Sequence, residues 1–559
     1  MVQWYAPLQL AQTAGRVAFS TLLGGDLDRR QIDLRAAESY AHFDLTTRPG
    51  PDGTPVARDE IVFDYIADTG DGWNSTYAVA FTATRPSLEL TDPQGGRHTL
   101  PRGELLMFGG DEVYPTPSRA LYEQRLVMPF HTAMGWTETD HPYLFAIPGN
   151  HDWYDNLTAF TRLFMEKEWF CGWRLAQRRS YFAIKLPHDW WLIGVDTQLG
   201  EDIDATQVAF FAGIAAEMSD DSKIILCTAE PHWVREHEAD DPMQRERRRR
   251  ESNLGFLEEQ VFKSSRVRVN LSGDYHHYRR HASDDGRRQK ITAGTGGAFS
   301  HPTHTFSRTA LAGDLALRCA YPDHATSARL AWKNFLFIYK NRTFGSLTGV
   351  VYLLVGWNIV GGLTAYQQGD MFTTVEETLV VILRSPASVS TILMMLGGFV
   401  LFTDTHKTWY RVFGGVSHGL LHLVAAITLG WLMGEVAQAA GWQFNSLAHL
   451  LLTLVALFAG GWLIGSLLMG LYLLTSVNLF GRHSTESFSS LAIQDYKLFL
   501  RLVIDRAGRL VIHPVGLDRA PRRWRDVSDA ARSEARVVPD DPDPRCTPRL
   551  IEPPIVVRP

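Results

Sequence analysis

Seven side chains of the kinds that bind metal ions each follow a short apolar segment of the chain. They are carboxylate, amide and imidazole groups, namely Asp68, Asp111, Asn150, His151, His232, Asp274 and His276. Such a mixture of ligands suits two hard or borderline divalent ions. The alternative is a set of ordinary turns, in which polar residues of this kind are common for conformational reasons. The order in which these groups recur favours metal chemistry.

Five runs of β-branched or aromatic residues must position these groups, since each run ends in one of the polar loops. The runs are EIVFDYIADTGDG (60–72), ELLMFGGDEVYP (104–115), YLFAIPGNHDW (143–153), KIILCTAEPHW (223–233) and VRVNLSGDYHH (267–277). Helical stretches at 118–134 and 157–173 and a hairpin at 180–198 lie between them. This alternation predicts an α/β fold whose sheet is covered on both faces. We expect the polar groups to meet at the strand ends.

The loops resemble, in order, the motif blocks of the calcineurin-like metallophosphoesterase superfamily. The blocks are DTG (68–70), GDEVY (110–114), GNHD (149–152), PH (231–232) and GDYH (273–276), within roughly residues 58–300. GNHD after an apolar strand is the most specific of them, and each of the others alone is weak. The resemblance implies a metallophosphoesterase-type β-sandwich flanked by helices.

Two positions depart from the commonest pattern of that superfamily. Gly70 stands where many members have a ligand His, but Tyr114 follows Asp111 by three residues, as in the purple-acid-phosphatase branch. A Tyr phenolate can replace the missing imidazole. Asp274 stands where the first His of G-H-x-H belongs, which makes that metal site harder and leaves the metal open among Mn, Fe and Zn.

The resemblance also implies a ligand set for two divalent or transition-metal ions. One ion would be held by Asp68, Tyr114 and His276. The other would be held by Asn150, His232 and Asp274, with Asp111 bridging both. The implied reaction is hydrolysis of phosphate mono- or diesters by in-line attack of metal-bound hydroxide.

His151 is not needed as a ligand and is the predicted catalytic residue. It would stabilise charge on phosphorus or protonate the leaving oxygen, with Asp152 orienting it. Asp71 and His277 flank the ligands and are predicted to support them by hydrogen bonds. The alternative, left open by Gly70 and Asp274, is a degenerate domain that only binds a phosphorylated ligand within a membrane sensor or transporter-like protein.

A membrane domain is predicted over residues 345–480. Segments 345–369, 385–403, 412–434 and a helix from about Leu447 contain no Asp, Glu, Lys or Arg, and each is long enough to cross roughly 30 Å of hydrocarbon. Four transmembrane helices are therefore expected. Lys and Arg concentrate in WKNFLFIYKNR (332–342), HKTWYR (406–411) and GRH (481–483), which places the catalytic domain and both termini in the cytoplasm.

The rest of the chain completes the predicted domain organisation. Residues 1–57 form a lead-in with a helix over 26–45, and 58–320 form the metallophosphoesterase domain. Residues 481–520 form a small cytoplasmic β-hairpin element, and the Arg-, Asp- and Pro-rich tail 521–559 is expected to be disordered.

Composition limits the partners of the protein. The net charge of −6 gives no nucleic-acid-binding signature. The four scattered cysteines form no CxxC pair and fit a reduced compartment. The expected partners are the lipid bilayer and a phosphate-ester substrate, either lipid-linked or a nucleotide.

Overall fold

The structure is a computed structural model. It describes residues 1–23, 42–134 apart from 51 and 53, 136, 141–197, 202–234, 252–305, 311, 315–360, 371–403, 408–443, 445–527 and 534–557. The helix predicted over 26–45 lies largely outside these residues.

Two large mixed sheets form the centre of the fold. One sheet has eight strands in the order Phe43–Asp44, Phe182–Leu186, Trp190–Gly194, Lys223–Cys227, Val267–Ser272, Gln289–Ala293, Tyr278–Ala282, Ala316–Tyr321. The other has nine strands in the order Arg549–Leu550, Leu510–Leu517, Lys497–Ile504, Ile61–Ile66, Leu105–Phe108, Tyr143–Ala146, Trp173–Leu175, Trp169–Phe170, with Ile555–Val557 also paired to Leu510–Leu517. Parallel neighbours such as Ile61–Ile66 and Leu105–Phe108 bring their carboxyl ends to one edge. The predicted α/β class is confirmed.

The two sheets share one apolar core, and helices cover their outer faces. Strand residues such as Phe63 and Leu500 from one sheet and Leu192 and Val269 from the other lie in the same buried cluster. The nine-stranded sheet is covered by helices Trp73–Ala83, Arg119–Tyr122, Glu123–Val127, Met128–Ala133, Thr158–Phe160 and Thr161–Met165. The eight-stranded sheet is covered by Ala205–Glu217, Asn253–Phe256 and Leu257–Val261. Burial on both faces explains why the central strands are continuous apolar runs.

The hairpin predicted at 180–198 is present as strands Phe182–Leu186 and Trp190–Gly194. The helix predicted at 157–173 ends at Met165, so its second half is wrong. There, strand Trp173–Leu175 pairs with Tyr143–Ala146, because sheet pairing overrides a local helical pattern.

The C-terminal hairpin is part of the main sheet rather than a separate element. Strand Lys497–Ile504 pairs with Ile61–Ile66 on one side and with Leu510–Leu517 on the other. The disordered tail expected after residue 521 is not found in its described part, since Arg549–Leu550 and Ile555–Val557 pair with Leu510–Leu517. The polar composition of the tail did not reveal this long-range pairing.

The described residues between 344 and 480 lie mostly in apolar helices. Their bounds are Phe344–Val360, Met371–Arg384, Pro386–Phe402, Thr408–Ala439 and Leu447–Phe480. Among the described residues, Thr408–Ala439 and Leu447–Phe480 are long and apolar enough to span a membrane. A third span results if Val375–Arg384 and Pro386–Phe402, bent by 97°, count as one. The predicted segment 345–369 is described only to residue 360, so four spans remain a prediction.

Candidate metal centre

Three predicted ligands converge on the hydroxyl group of Tyr114. Its oxygen lies 2.7 Å from Asp68 Oδ1, 3.1 Å from Asp111 Oδ2 and 2.8 Å from His276 Nε2. Asp68 Oδ1 and His276 Nε2 are themselves 3.3 Å apart. Four groups from three separate sequence blocks therefore meet within hydrogen-bonding distance of one point.

The three aspartates lie where the chain leaves a strand in a left-handed conformation. Their φ angles are 56° at Asp68, 54° at Asp111 and 65° at Asp274. Aspartate tolerates this region better than most residues because its short side chain can hydrogen-bond locally. Such backbone strain costs about 1–3 kcal/mol per residue and clusters at functional sites.

Two glycines of the sequence blocks allow the carboxylates to approach the backbone. A Cβ atom at Gly149 would lie 2.1 Å from Asp111 Oδ1, and one at Gly273 would lie 2.3 Å from Asp68 Oδ2. Any larger residue would displace a carboxylate. The glycine that precedes Asn150 and the glycine that precedes Asp274 are therefore required by the geometry of the site.

Two predicted ligands of the second ion, Asn150 and His232, have buried atoms without hydrogen bonds. Asn150 donates from Nδ2 to Tyr154 Oη at 3.2 Å, but its buried Oδ1 has no partner among the described residues. Neither ring nitrogen of His232 has one there either, although Nε2 lies 3.3 Å from Glu258 Oε1. That contact is an ion-pair distance without hydrogen-bond geometry. Unsatisfied buried ligand atoms require an explanation, and a bound cation supplies one.

Asp274, a predicted ligand of the second ion, lies against Asp68 of the first predicted set. The structure thus brings the two predicted ligand sets only partly together. The backbone N–H of Asp274 donates to Asp68 Oδ2 at 3.0 Å, and its charge adds to the effect of burial in raising the pKa of Asp111. Within the described part of the chain, no three His, Cys, Asp or Glu side chains form a ready-made metal site. The predicted ligand set also includes Tyr114 and Asn150, which are donors of other types.

The carboxylates of this cluster lie in surroundings that disfavour their negative charge. Burial raises the pKa of Asp68 and of Asp111 well above the ordinary range, and the neighbouring carboxylates raise that of Asp111 further. Among the described residues, neither carboxylate pairs with Lys or Arg. Buried carboxylates without such a partner favour a divalent ion.

His151 is fixed by the backbone rather than by Asp152. Its Nδ1 lies 2.7 Å from the carbonyl oxygen of Pro115, and its backbone N–H donates to Asp111 Oδ1 at 2.8 Å. Because a carbonyl only accepts, Nδ1 carries the proton and Nε2 has the lone pair. Burial lowers the pKa of His151 to about 4, so the imidazole is neutral near pH 7.

Asp152 was expected to orient His151, and the structure gives it other contacts. It accepts hydrogen bonds from the backbone of Gly149 at 2.9 Å and of Glu112 at 3.3 Å, and from the hydroxyl of Tyr122. Asp152 thus joins the GDEVY loop to the GNHD loop. Asp152 therefore holds these two loops, which carry predicted ligands, in a fixed position relative to each other.

Asp71 supports the predicted ligand His276 indirectly, through the backbone of Phe299. Its carboxylate accepts from the backbone N–H of Val2 and of Phe299, each at 3.0 Å. The carbonyl oxygen of Phe299 accepts from His276 Nδ1 at 2.8 Å, which leaves Nε2 facing Tyr114. A hydrogen-bonded partner of this kind sets the tautomer of a ligating His. The ring of His277, the other predicted supporting residue, stacks on Tyr275.

Comparison with known proteins leaves the chain without a family. No family model matches this chain. No curated protein matches it significantly. Two similar solved structures are GAP50, the anchor in the inner membrane complex of Plasmodium, and PhoD. GAP50 is 12% identical with a TM-score of 0.30, over 43% of this chain and 74% of its own. PhoD is 10% identical with a TM-score of 0.27, over 42% of this chain and 56% of its own. Likeness at this level carries no functional argument, and the site is judged on its own geometry.

His301 and Trp4 also lie at the site and were not predicted from the sequence. His301 stacks on His276 with ring centroids 4.1 Å apart and accepts the backbone N–H of His276 at 3.1 Å. The indole of Trp4 lies 6.0 Å from the Tyr114 ring and 6.1 Å from the His151 ring. His301 follows the Gly-rich segment TGGAF at 295–299, which was a usable signal. Nothing in the local sequence around Trp4 indicates its position.

A buried lysine beside the site predicts an unusual pH dependence of stability. Lys497 is fully buried, its Nζ donates to Ser300 Oγ at 3.4 Å, and burial lowers its pKa to about 7. The unfolded chain then binds more protons than the folded chain between pH 7 and about pH 10. Stability should therefore rise with pH above 7, on the order of 2 kcal/mol between pH 7 and pH 9.

The comparison of wild type with Lys497→Met isolates this effect. Thermal unfolding in detergent at pH 7 and pH 9 should show a rise in Tm for wild type that exceeds the rise for the variant. An equal rise in both proteins would show that Lys497 is charged inside the fold.

Proposed function

We propose that this protein is a metal-dependent hydrolase of phosphate mono- or diesters, held at the cytoplasmic face of a membrane. The observation that carries the proposal is the convergence of Asp68, Asp111 and His276 on the hydroxyl of Tyr114. The unsatisfied ligand atoms of Asn150 and His232 add to it. The two-sheet architecture flanked by helices is compatible with a metallophosphoesterase-type β-sandwich.

The donor set fits two divalent or transition-metal ions, such as Mn, Fe or Zn. One ion would take Asp68, Tyr114 and His276, and Asp111 would be shared between the two. The second ion would take the remaining ligands, Asn150, His232 and Asp274. When bound, such ions supply Lewis acidity that activates water and offsets the charge of the phosphate.

Side chains of the protein would supply the proton and keep the predicted ligands in position. His151, partly buried next to Asp111, would present Nε2 toward a reacting oxygen, because Nδ1 is held by the carbonyl of Pro115. A bound phosphate would raise the pKa of this imidazole, since the nearby negative charge favours its protonated form. His151 can then give a proton to the leaving oxygen. Asp71 and Phe299 keep His276 in the orientation that this arrangement needs.

The apolar helices supply the anchor in this proposal. Thr408–Ala439 and Leu447–Phe480 are of spanning length, and the segments 344–360 and 386–402 would complete a four-helix domain. The Lys and Arg residues of 332–342, 406–411 and 481–483 favour a cytoplasmic catalytic domain.

The test is hydrolysis of p-nitrophenyl phosphate and bis-p-nitrophenyl phosphate by the detergent-purified chain with added Mn²⁺. Wild type should turn over one of the two esters, which identifies a monoesterase or a diesterase. His151→Ala should lower kcat by about 10²- to 10⁴-fold, because a positioned proton donor contributes that much. His131→Ala, on the helix Met128–Ala133 away from the cluster, is the matched control and should keep full activity.

Two outcomes would overturn the hydrolase proposal. One is the absence of bound metal in the purified chain after incubation with Mn²⁺. The other is bound metal with equal background rates for wild type and His151→Ala on every ester tried. In the second case, a membrane protein whose degenerate domain only binds a phosphorylated ligand becomes the better explanation.

A further inference from the structure

The segment that leads into the apolar helices has one exposed aromatic face. Trp332, Phe335, Leu336 and Tyr339 are 58%, 43%, 48% and 69% exposed. In the short helical segments Trp332–Leu336 and Phe337–Lys340 they lie away from the buried residues Asn334 and Phe337. A contiguous exposed apolar face of this kind marks an interaction surface. We call these four residues the aromatic face.

The partner that fits the aromatic face is the lipid headgroup layer. The apolar helix Phe344–Val360 follows it directly, and Lys333 and Arg342 are exposed beside it. The indole N–H of Trp462, on the long helix Leu447–Phe480, donates to the Arg342 carbonyl at 3.1 Å and joins the two segments. Aromatic and basic side chains are enriched at the level where membrane helices leave the bilayer.

Two consecutive residues, Tyr5 and Trp4, connect the buried side of the segment 332–340 to the metal centre. The Tyr5 ring packs on Phe337 at 5.0 Å and on Phe344 at 5.4 Å. Trp4, adjacent in sequence and therefore about 3.8 Å away along the chain, packs against the rings of Tyr114 and His151. The metal centre is thus separated from the headgroup-level segment by only two aromatic side chains.

A second contact joins the site to the bundle independently of the N-terminal segment. His304, in the loop that also supplies Phe299 and His301, lies with Nε2 2.9 Å from Asn478 Oδ1 at the end of the helix Leu447–Phe480. The loop also accepts from the hydroxyl of Ser484, through Thr305 Oγ1 at 3.1 Å. The edge of the site therefore rests on the membrane helices.

We propose that the substrate is an amphiphilic lipid phosphate ester whose acyl chains stay in the bilayer while its headgroup enters the site past Trp4. This proposal rests on the proposed hydrolase function and narrows its substrate class. In the reaction, a bond forms between phosphorus and the oxygen of water, and the bond from phosphorus to the lipid ester oxygen breaks. The lipid alcohol leaves with one proton of that water. The indole N–H of Trp4, buried and without an acceptor among the described residues, can donate to a headgroup oxygen.

The first experiment compares chain length at constant headgroup. The full chain, loaded with Mn²⁺ in proteoliposomes, is given dioleoyl phosphatidate if it is a monoesterase or dioleoyl phosphatidylglycerol if it is a diesterase. The competitor is the water-soluble dibutyryl homologue, and the nitrophenyl ester is the reference. We expect kcat/KM for the long-chain lipid to exceed that of the homologue by about tenfold or more, since the bilayer concentrates it at the site.

The second experiment uses charge on the aromatic face. Phe335→Glu and Tyr339→Glu should each lower the hydrolysis of the vesicle-borne lipid by about fivefold or more. The reason is that an anionic membrane surface repels a carboxylate at headgroup level, which weakens the contact of this segment with the lipid. Nitrophenyl ester hydrolysis should be unchanged. Phe256→Glu, at a residue that is 48% exposed on the catalytic domain, is the matched control and should affect neither rate.

The outcomes separate the two proposals. Equal rates on long and short chains, together with nitrophenyl ester hydrolysis, overturn the lipid proposal and leave the hydrolase intact. A loss of both activities in Phe335→Glu that Phe256→Glu does not share also overturns it, because the effect would then be on folding. No hydrolysis of any ester by the metal-loaded chain overturns both proposals.

Discussion

Asp111→Asn should abolish hydrolysis and at the same time stabilise the metal-free protein. Asp111 is buried, its pKa is raised by burial and by the charges of Asp68, Asp152 and Asp274, and it has no Lys or Arg partner among the described residues. An asparagine keeps the acceptor for the His151 N–H, now 2.8 Å from Oδ1, but removes the charge that the two proposed ions would share. A loss of several kcal/mol of charge stabilisation corresponds to a rate lowered by roughly a thousandfold.

This prediction is specific because the variant should lose activity and yet gain stability in the metal-free state. In metal-free protein the buried carboxylates repel one another, so one fewer charge should raise stability by about 1–3 kcal/mol. Metal content by mass spectrometry, kcat on the preferred nitrophenyl ester, and Tm with and without a chelator measure the three effects. Wild type should gain Tm on adding Mn²⁺, and the variant should gain little.

A matched carboxylate serves as the control. Asp285→Asn changes an exposed turn residue that accepts from Ser283 and Arg287. This variant should bind metal and turn over like wild type. If Asp111→Asn destabilised the metal-free protein instead, the cluster would be a hydrogen-bonded network built without regard to cations, and the metal-site hypothesis would fail.

The blocks that could be predicted are those in which local sequence and strand order determine position. Asp68 and Asp111 each follow a strand of the nine-stranded sheet, and these two strands are parallel neighbours that end at a common edge. That rule predicts the approach of these two residues. His276 follows a strand of the eight-stranded sheet, so the packing of the two sheets is also needed to bring it to the hydroxyl of Tyr114. Their role as metal ligands stays a prediction.

The parts that could not be predicted depend on packing between distant segments. Asp152 seemed the natural partner of its neighbour His151, but Tyr122 and the Glu112 backbone come closer through the fold. Trp4 reaches the site because Val2 is tied to Asp71, a contact across 69 residues. No periodic pattern or motif in the sequence predicts either contact.

The same holds for the C-terminal hairpin, whose alternating pattern predicted its strands but not their neighbour. Its first strand lies beside Ile61–Ile66, the strand that precedes Asp68, so the chain must pass through all the apolar helices before the sheet is complete. The apolar helices are therefore joined at both ends to segments that belong to the two central sheets.

Arg501→Leu should test this connection directly by destabilising the folded chain by about 3–5 kcal/mol. Arg501 is fully buried on the hairpin strand and pairs with Asp64 through two bonds, Nε to Oδ1 at 2.8 Å and a second to Oδ2 at 2.9 Å. It also donates to the carbonyl of Ala83 at 2.7 Å. Its removal leaves Asp64, 437 residues away in sequence, as an unpaired buried charge.

Two further variants separate this pair from general damage to the hairpin. Asp64→Leu combined with Arg501→Leu should regain most of the lost stability, because a buried ion pair replaced by apolar residues of similar size is often neutral. Arg506→Leu, on the exposed turn near Asp59 and Glu60, should cost less than about 1 kcal/mol. Thermal unfolding of the full chain in detergent, with the sheet signal followed by circular dichroism, measures all three. A cost for Arg501→Leu as small as that for Arg506→Leu would mean that the hairpin can leave the sheet without disturbing Asp64. The two sheets would then fold independently of the segment beyond the apolar helices, and the helices would be joined to them at only one end.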